Sequence, residues 1–330
     1  MSLDKRNALQ LAALAATLLA LSLASLFVGV ADISPVDALL FRLTPIQKQI
    51  LAITRVPRLL SAVMAGAALS IAGLIMQQLT RNKFVSPTTA GTMDAARLGV
   101  LVALIAFPGA TLLQKTAIAF AFALAGTFAF VRIVERIKFK NATFIPLVGL
   151  MFGNIVSAVT TSVAYRYDLL QSLVTWLHGD FSMILRGRYE MLYVGVPLIL
   201  VAYVYADRFT IAGMGDSFAT NLGLNYRHVV NVGLVIVAAV SAAVVLTVGS
   251  LPFLGLVVPN IVTLYRGDNV KYNILHVALL GAVFVLACDT LGRVIIYPYE
   301  VPVGLTMGIL GSGLFLLMLL RRNARGAQAA

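Results

Sequence analysis

A series of long segments without a charged residue constrains this chain more than any other feature. No Asp, Glu, Lys or Arg occurs between Arg58 and Arg81, and further uncharged runs cover residues 8–30, 229–265 and 301–320. A helix needs about 20 apolar residues to cross a bilayer, and it satisfies its own backbone polar groups. With 60% hydrophobic and only 12% charged residues, the sequence predicts an all-α polytopic membrane protein of about ten transmembrane helices.

The basic residues predict how these helices are oriented. The formal net charge is +12, the densest basic segment is residues 132–140, and Arg321, Arg322 and Arg325 follow the last apolar run. Cytoplasmic loops are enriched in Lys and Arg, which explains the charge without a nucleic-acid partner. We therefore expect both termini in the cytoplasm and a single transmembrane domain over residues 1–330.

Two apolar segments are too short for upright spans, and they fall at comparable places in the two halves of the chain. They are residues 94–107 and residues 252–265, the second of which Pro259 is expected to interrupt. Paired short helices are typical of inverted repeats in transporters, so we expect inverted-repeat character. Between the halves, the polar segment 207–228 is predicted to lie on the cytoplasmic face, either as a docking element for a partner or as an ordinary connecting loop.

Motifs for catalysis and metal binding are missing from the sequence. It has no Walker phosphate loop, no paired-histidine metal motif and no nucleophile elbow, and its three histidines are scattered. These observations argue against a membrane-embedded enzyme and against a metal site. An ion-coupled carrier would need an acidic group within the spans, for which Asp289 is the main candidate. Because Arg293 follows Asp289 by four residues, we expect a local ion pair rather than a proton relay.

Small residues recur at four-residue spacing on several predicted helices. The three series are Ala62, Gly66 and Ser70, then Gly149, Gly153 and Ser157, and finally Gly304, Gly308 and Ser312. Such stripes let helix backbones approach closely in a membrane. The first stripe predicts tight packing of the second span on its neighbours. For the other two, packing within one subunit and packing between two subunits both fit the pattern.

Two longer motifs resemble the signatures of a known transporter family. The stretch RVPRLLSAVMAGAALSIAGLIMQQLTRN, residues 55–82, resembles R-x-P-R…G-A-A-L…G…Q…R-N, and LPFLGLVVPNIVTLYRGDN, residues 251–269, resembles F-x-G-L-V-x-P. Both are signatures of the FecCD-type permeases of binding-protein-dependent ABC importers for iron(III) siderophores, haem and cobalamin. The resemblance extends from the first helix to Arg322.

This resemblance implies a type II ABC importer permease in the bacterial cytoplasmic (inner) membrane. The implied partners are a second permease subunit, identical or paralogous, two ATPase subunits, and a periplasmic or lipid-anchored substrate-binding protein. ATP and Mg²⁺ would be bound by the ATPase subunits, so no cofactor is expected in this chain and the chain itself is not expected to be an enzyme. A wide pathway that must release its cargo also argues against iron coordination by the permease.

The same resemblance implies roles for individual residues at the two ends of the molecule. External arginines are expected to bind acidic residues of the binding protein, unless they merely flank a span: Arg55, Arg58 and Arg293. Within the segment 207–228, a short coupling helix that would enter a cleft of the ATPase is expected at Asp216, Phe218, Ala219, Leu222 and Gly223.

In the family, the fifth and tenth helices form the subunit interface and line the pathway. The interface residues implied here are the second and third small-residue stripes. Pathway residues are expected at Asn154, Thr160, Thr161 and Ser162, with Thr143 at the narrow cytoplasmic end.

Residues 82–87 suggest the substrate class. They read N-K-F-V-S-P where many members have N-P-L-A-x-P, and V-P-N replaces V-P-H at Pro259 and Asn260. This pattern resembles the branch that handles catecholate-type siderophores. We therefore expect an importer of ferric siderophore, the alternatives being a haem or cobalamin importer permease or an ion-coupled secondary carrier.

Overall fold

A computed structural model describes residues 3–87, 91–136 and 144–327 of the chain. Within these residues the secondary structure is helical. The α-helices are, in order, α1 Leu3–Phe27, α2 Pro35–Leu39, α3 Pro45–Ile50, α4 Val56–Thr80, α5 Thr92–Ala106, α6 Leu112–Arg136, α7 Phe144–Arg166, α8 Leu170–Leu177, α9 Gly195–Val204, α10 Ala206–Ala212, α11 Asp216–Asn221, α12 Tyr226–Val248, α13 Leu254–Arg266, α14 Val270–Val294 and α15 Val303–Ala327.

Helix α4 forms the centre of the bundle. A π-helical segment, Leu51–Arg55, joins it to α3, so one helical segment of 36 residues runs from Pro45 to Thr80. The segment begins before the apolar run, because Thr44 and Gln47 form a capping box and Pro45 occupies the first turn. Helix α4 packs against α12, α13 and α14, and most of its residues are buried.

The small-residue stripe of α4 is used as predicted. Ala62, Gly66 and Ser70 are all buried, and Gly66 and Ser70 lie against Gly281 of α14. A Cβ atom added to Gly66 would lie 2.7 Å from the carbonyl oxygen of Gly281, and one added to Gly281 would collide with Ser70. The two helices can therefore approach only because both lack side chains at this crossing.

The described part of the chain has seven or eight spans by length and composition, so the expected value of about ten is approximate. Among the described residues, seven helical segments are long and apolar enough to cross a membrane, and the helix pair bent by 62° between Val204 and Ala206 makes an eighth if it is one span. The helices α5, of 15 residues, and α13, of 13 residues, are shorter than a full span. Both lie where the sequence places short helices in the two halves of the chain.

Helix α13 passes through Pro259, contrary to the expectation that this proline interrupts it. Proline has no N–H, so the carbonyl oxygen of Gly255, four residues earlier, lacks its usual helical donor. The Gln77 side chain of α4 lies against this gap and donates to the carbonyl oxygens of Gly255 at 3.4 Å and of Leu256 at 3.3 Å. A side chain from the first family motif therefore compensates for the proline in the second.

Candidate functional site

Charged side chains from α4 and α14 form a buried cluster at the end of the bundle that the sequence places outside. Arg58 donates from Nη2 to Asp289 Oδ1 at 2.8 Å, and Arg293 donates from Nη2 to Asp289 Oδ2 at 2.6 Å. The predicted ion pair between Asp289 and Arg293 is thus confirmed. Arg58 also donates from Nη1 to Glu300 Oε2 at 2.7 Å, in the loop between α14 and α15.

Arg55 and Arg293 are bound to the end of α1 rather than presented at the surface. Arg55 donates to the carbonyl oxygens of Leu26 and Ala31, and Arg293 donates to those of Ser25 at 2.9 Å and Val28 at 3.0 Å. The last carbonyl groups of a helix have no partner within it and carry partial negative charge, so buried guanidinium groups stabilise them. Both arginines are therefore buried in the single chain, and their docking role stays a prediction.

Arg58 remains the arginine best placed for an outside partner. Its side chain is 13% exposed and that of Glu300 is 29% exposed, against 2% for Asp289 and 3% for Arg293. The Glu300 side of the guanidinium is therefore the side that solvent, or a docking carboxylate, can reach.

At the opposite end, the predicted coupling residues form the short helix α11 and the turn after it. Asp216, Phe218 and Leu222 are exposed, and Asp216 accepts a hydrogen bond from Thr220. Gly223 has φ of +78° with open space around it, so it allows the chain to reverse after α11. Ala219 is fully buried, so it can hold the helix on the bundle, and the coupling role of these five residues stays a prediction.

The loop before α11 packs against the C-terminal end of α4. A Cβ atom on Gly213 would lie 2.4 Å from Gln78 Oε1, and one on Gly215 would lie 2.7 Å from Arg81 Nη1. Gln78 also donates from Nε2 to the carbonyl oxygen of Asp268 at 2.9 Å, just beyond α13. The sequence shows Gln78 and Arg81 as part of a motif but does not indicate this role, because residues so far apart in the chain give no local signal.

Residues 82–87 follow α4 in the chain and make polar contacts with α13 and with the loop after it. Asn260 donates from Nδ2 to the carbonyl oxygen of Lys83 at 2.7 Å, Lys83 pairs with Asp268, and Asn82 accepts from the backbone N–H of Phe84 at 2.8 Å. The two positions by which the sequence departs from the usual motifs, the 82–87 turn and Asn260, therefore contact each other.

The polar residues of α7 fall on two faces. Asn154, Thr161 and Ser162 line an open groove of about 660 Å³ together with Ser157, and their role in a pathway stays a prediction. Thr160 does not line this groove, because it is fully buried and donates to the carbonyl oxygen of Val156 at 2.7 Å. Thr143 lies outside the described residues.

The second and third small-residue stripes make contacts within the chain. A Cβ atom on Gly153 would lie 2.5 Å from Asp94 Oδ2, and one on Gly304 would lie 3.4 Å from the carbonyl oxygens of Gly179 and Ser250. Packing within the subunit thus explains Gly153 and Gly304, and the role of the two stripes at a subunit interface stays a prediction. Of the other stripe residues, one is buried and three are partly exposed: Gly149, then Ser157, Gly308 and Ser312.

Comparison with known proteins identifies the family. Residues 17–322 match the model of the FecCD transport family. The chain belongs to this family. FecCD proteins named among its relatives are permease subunits of import systems, so this chain is a transport component rather than an enzyme. Within the described part of the chain, no group of three or more His, Cys, Asp or Glu side chains could hold a metal ion.

Two relatives and one solved structure are similar to this FecCD protein over most of its length. It is 60% identical to the petrobactin import system permease YclN of Bacillus subtilis, over 93% of this chain and 96% of the relative. It is 41% identical to the ferric-anguibactin transport system permease FatD of Vibrio anguillarum, over 81% and 85%. The fold matches an inward-facing conformation of a metal-chelate type ABC transporter with a TM-score of 0.81 and 23% identity, over 94% of this chain and 98% of that one.

Proposed function

We propose that this FecCD permease moves an intact ferric siderophore, of catecholate type, into the cytoplasm as part of an ABC importer. The observation that carries the proposal is the 60% identity, over nearly the whole chain, to a petrobactin import permease. The second relative is named for ferric anguibactin. Both names agree with the substrate class suggested by residues 82–87.

The proposed assembly contains a second permease subunit, two ATPase subunits and a substrate-binding protein. The features of α11 support the proposed ATPase contact. Phe218 and Leu222 are exposed in this short segment, whereas Ala219 is buried and can hold it in place. Such a helix transmits closure of the ATPase dimer as a rigid-body movement of the attached helices. We place the protein in the bacterial cytoplasmic membrane with both termini inside, as the basic residues predict.

The exposed faces of α7 and α15 support a contact with the second permease. The groove lined by Asn154, Thr161 and Ser162 lies on α7 as well. A pathway between two such subunits would have weakly interacting hydroxyl and amide groups, which suit passage rather than retention of a bulky complex. Large apolar side chains that these two helices leave uncovered in the single chain include Leu150, Ile155, Ile309 and Leu316.

Reconstitution tests this function. The chain is combined in proteoliposomes with candidate partner permease, ATPase and binding proteins, and uptake of radioactive iron is measured with ferric petrobactin, a ferric hydroxamate and haem, alongside labelled cobalamin. We expect ATP-dependent uptake of the ferric catecholate complex and little of the others. Uptake of haem or cobalamin instead would assign the chain to another substrate class.

The ion-coupled carrier is disfavoured by one specific contact. Asp289, the acidic group that such a carrier would use, is held between Arg58 and Arg293 and is 2% exposed. Both oxygens of this carboxylate are already bound by a guanidinium group, which leaves it closed to a transported ion. Uptake driven by a proton or sodium gradient without ATP would nevertheless reinstate this alternative.

A further inference from the structure

We infer that Glu300 occupies, in the undocked permease, the place on Arg58 that a carboxylate of the binding protein takes on docking, and that Glu300 thereby sets the affinity of docking. This inference rests on the proposed function, because it concerns the contact with the binding protein. It assigns an inhibitory role to an acidic residue of the permease itself.

The guanidinium of Arg58 has two different sides. Nε and Nη2 donate to Asp289, which is buried and also accepts from Arg293. Nη1 donates to Glu300, whose side chain is 29% exposed. An acidic side chain approaching from outside can therefore replace Glu300 without disturbing the buried pair. Replacing Asp289 would instead require a buried charge to be moved out of its hydrogen bonds.

The charges of this end are balanced while Glu300 is in place. Arg58 and Arg293 contact the carboxylates of Asp289 and Glu300, and Arg55 lies near Arg293 and Asp32, so three arginines face three carboxylates. When Glu300 is displaced from Arg58, or loses its charge, the balance around Arg58 becomes positive, which favours an acidic partner. Arg55 and Arg293 are occupied by backbone carbonyl oxygens of the α1 end, which leaves Arg58 as the arginine of this cluster with an exchangeable partner.

The backbone around Glu300 is held in place. Val301 donates from its N–H to the carbonyl oxygen of Gly292 at 2.9 Å, and a Cβ atom on Gly292 would lie 2.5 Å from the carbonyl oxygen of Val301. The loop can lie this close to α14 because Gly292 has no side chain. Glu300 is thus positioned over Arg58 by the fold and is not a freely moving surface acid.

The neighbours of Glu300 have the composition of a protein contact surface. Ile295, Ile296, Tyr297 and Tyr299 are all more than half exposed. Tyrosine and large apolar side chains are enriched at protein interfaces, where they supply contact area around a few charged pairs. A partner seated on these side chains would bring its own carboxylate next to Arg58 Nη1.

The test is the variant Glu300→Gln, which keeps the shape of the side chain and removes its charge. We expect it to tighten association with the binding protein about three- to tenfold, with the larger gain at low ionic strength, because the partner's carboxylate no longer competes with an internal one. Purified binding proteins from the host organism are immobilised on a biosensor, and association with the reconstituted transporter in nanodiscs is measured.

Glu190→Gln is the matched control. Glu190 is also in an exposed external segment, where it accepts from the N–H of Gly187 at 2.6 Å, and its substitution removes the same charge. It should leave the affinity within about twofold. Equal tightening by both variants would show a general charge effect and overturn the assignment. Glu300→Ala should act in the same direction as Glu300→Gln, which guards against a result specific to the amide.

A double-mutant cycle with Arg58→Gln completes the test. In that background Glu300→Gln should no longer change the affinity, since the two residues act through one contact. If wild-type transporter binds and Glu300→Gln leaves binding unchanged or weaker, the inference is overturned while the proposed function stands. If wild-type transporter binds none of the binding proteins, the proposed function is overturned and this inference falls with it.

Discussion

The two ends of the molecule use their polar and apolar residues in opposite ways. At the Arg58 end, charged side chains are buried and bound to one another or to the end of α1. At the α11 end, large apolar side chains are exposed on a six-residue helix and the turn after it. At the Arg58 end, buried charges fix the helices beneath exposed side chains such as Tyr297 and Tyr299, whereas α11 carries its exposed apolar side chains on a short helix with one buried residue. The two ends thus differ in how firmly the surface that a partner could cover is supported.

Asp289→Asn is expected to have the largest effect on stability. It leaves the buried guanidinium group of Arg293 without a counter-charge and Arg58 with Glu300 as its remaining acidic partner, which costs about 3–5 kcal/mol. Thermal unfolding in detergent measures the loss. The control is Asp207→Asn, whose partner is Lys271 in an exposed pair and which should change the unfolding temperature far less, because solvent screens exposed charges. Similar losses in both variants would contradict the claim that the Arg58 end is held by buried charge.

Ala219→Leu tests whether α11 is seated by its one buried side chain. Ala219 is fully buried, so added methyl groups should overpack the contact and cost about 1–3 kcal/mol. Thermal unfolding and transport are measured together. Ser217→Leu, at an exposed position of the same helix, is the control and should leave the unfolding temperature unchanged. A stable Ala219→Leu protein with normal uptake would show that α11 is not anchored here.

Gly223→Ala and Gly187→Ala form a pair that compares the two ends directly. Both glycines have positive φ, +78° and +93°, and neither has an atom within 4 Å of an added Cβ. Each variant should lose about 1 kcal/mol through backbone strain alone. Only Gly223→Ala should also lower uptake and ATPase stimulation, because only its turn belongs to the proposed coupling segment. Equal effects of both on transport would argue against that segment.

Phe218→Ala combined with Leu222→Ala should have the smallest effect on stability. Both side chains are exposed, so the unfolding free energy should change by about 0.5 kcal/mol or less. Transport in the reconstituted complex should nevertheless fall about tenfold or more, since a partner that buries these side chains loses its main anchors. Normal uptake by the double variant would remove α11 from the ATPase contact.

Most helices could be predicted from the sequence because long apolar runs and basic loops are local signals. The coupling segment is predictable for the same reason, as a polar interruption of the right length. Prediction is less accurate where the role of a residue depends on which other parts of the chain it packs against. Ala219 and Thr160 belong to predicted functional sets, yet both face the bundle, and nothing in their sequence neighbourhood distinguishes them from exposed neighbours.

Arg55 and Arg293 show the same limit at the outer end. An arginine at the end of an apolar run is compatible with an exposed docking group and with a buried one. Both arginines are buried because carbonyl oxygens at and just after the end of α1 accept hydrogen bonds from their guanidinium groups. Asp94, which lies beside Gly153 of α7, is not among the predicted site residues, although an acid in the first turn of an apolar helix is a signal that the sequence carries.

The sequence by itself determined that this protein is a helical membrane permease of the FecCD family, because hydropathy, charge distribution and two contiguous motifs are properties of short stretches of chain. Only the tertiary structure decided how those motifs are used. Gln77 compensates for the missing N–H at Pro259, Asn260 holds the turn after α4, and Glu300 covers Arg58. These contacts join residues far apart in the chain, and they exist because helices packed through small residues bring specific polar groups within hydrogen-bonding distance.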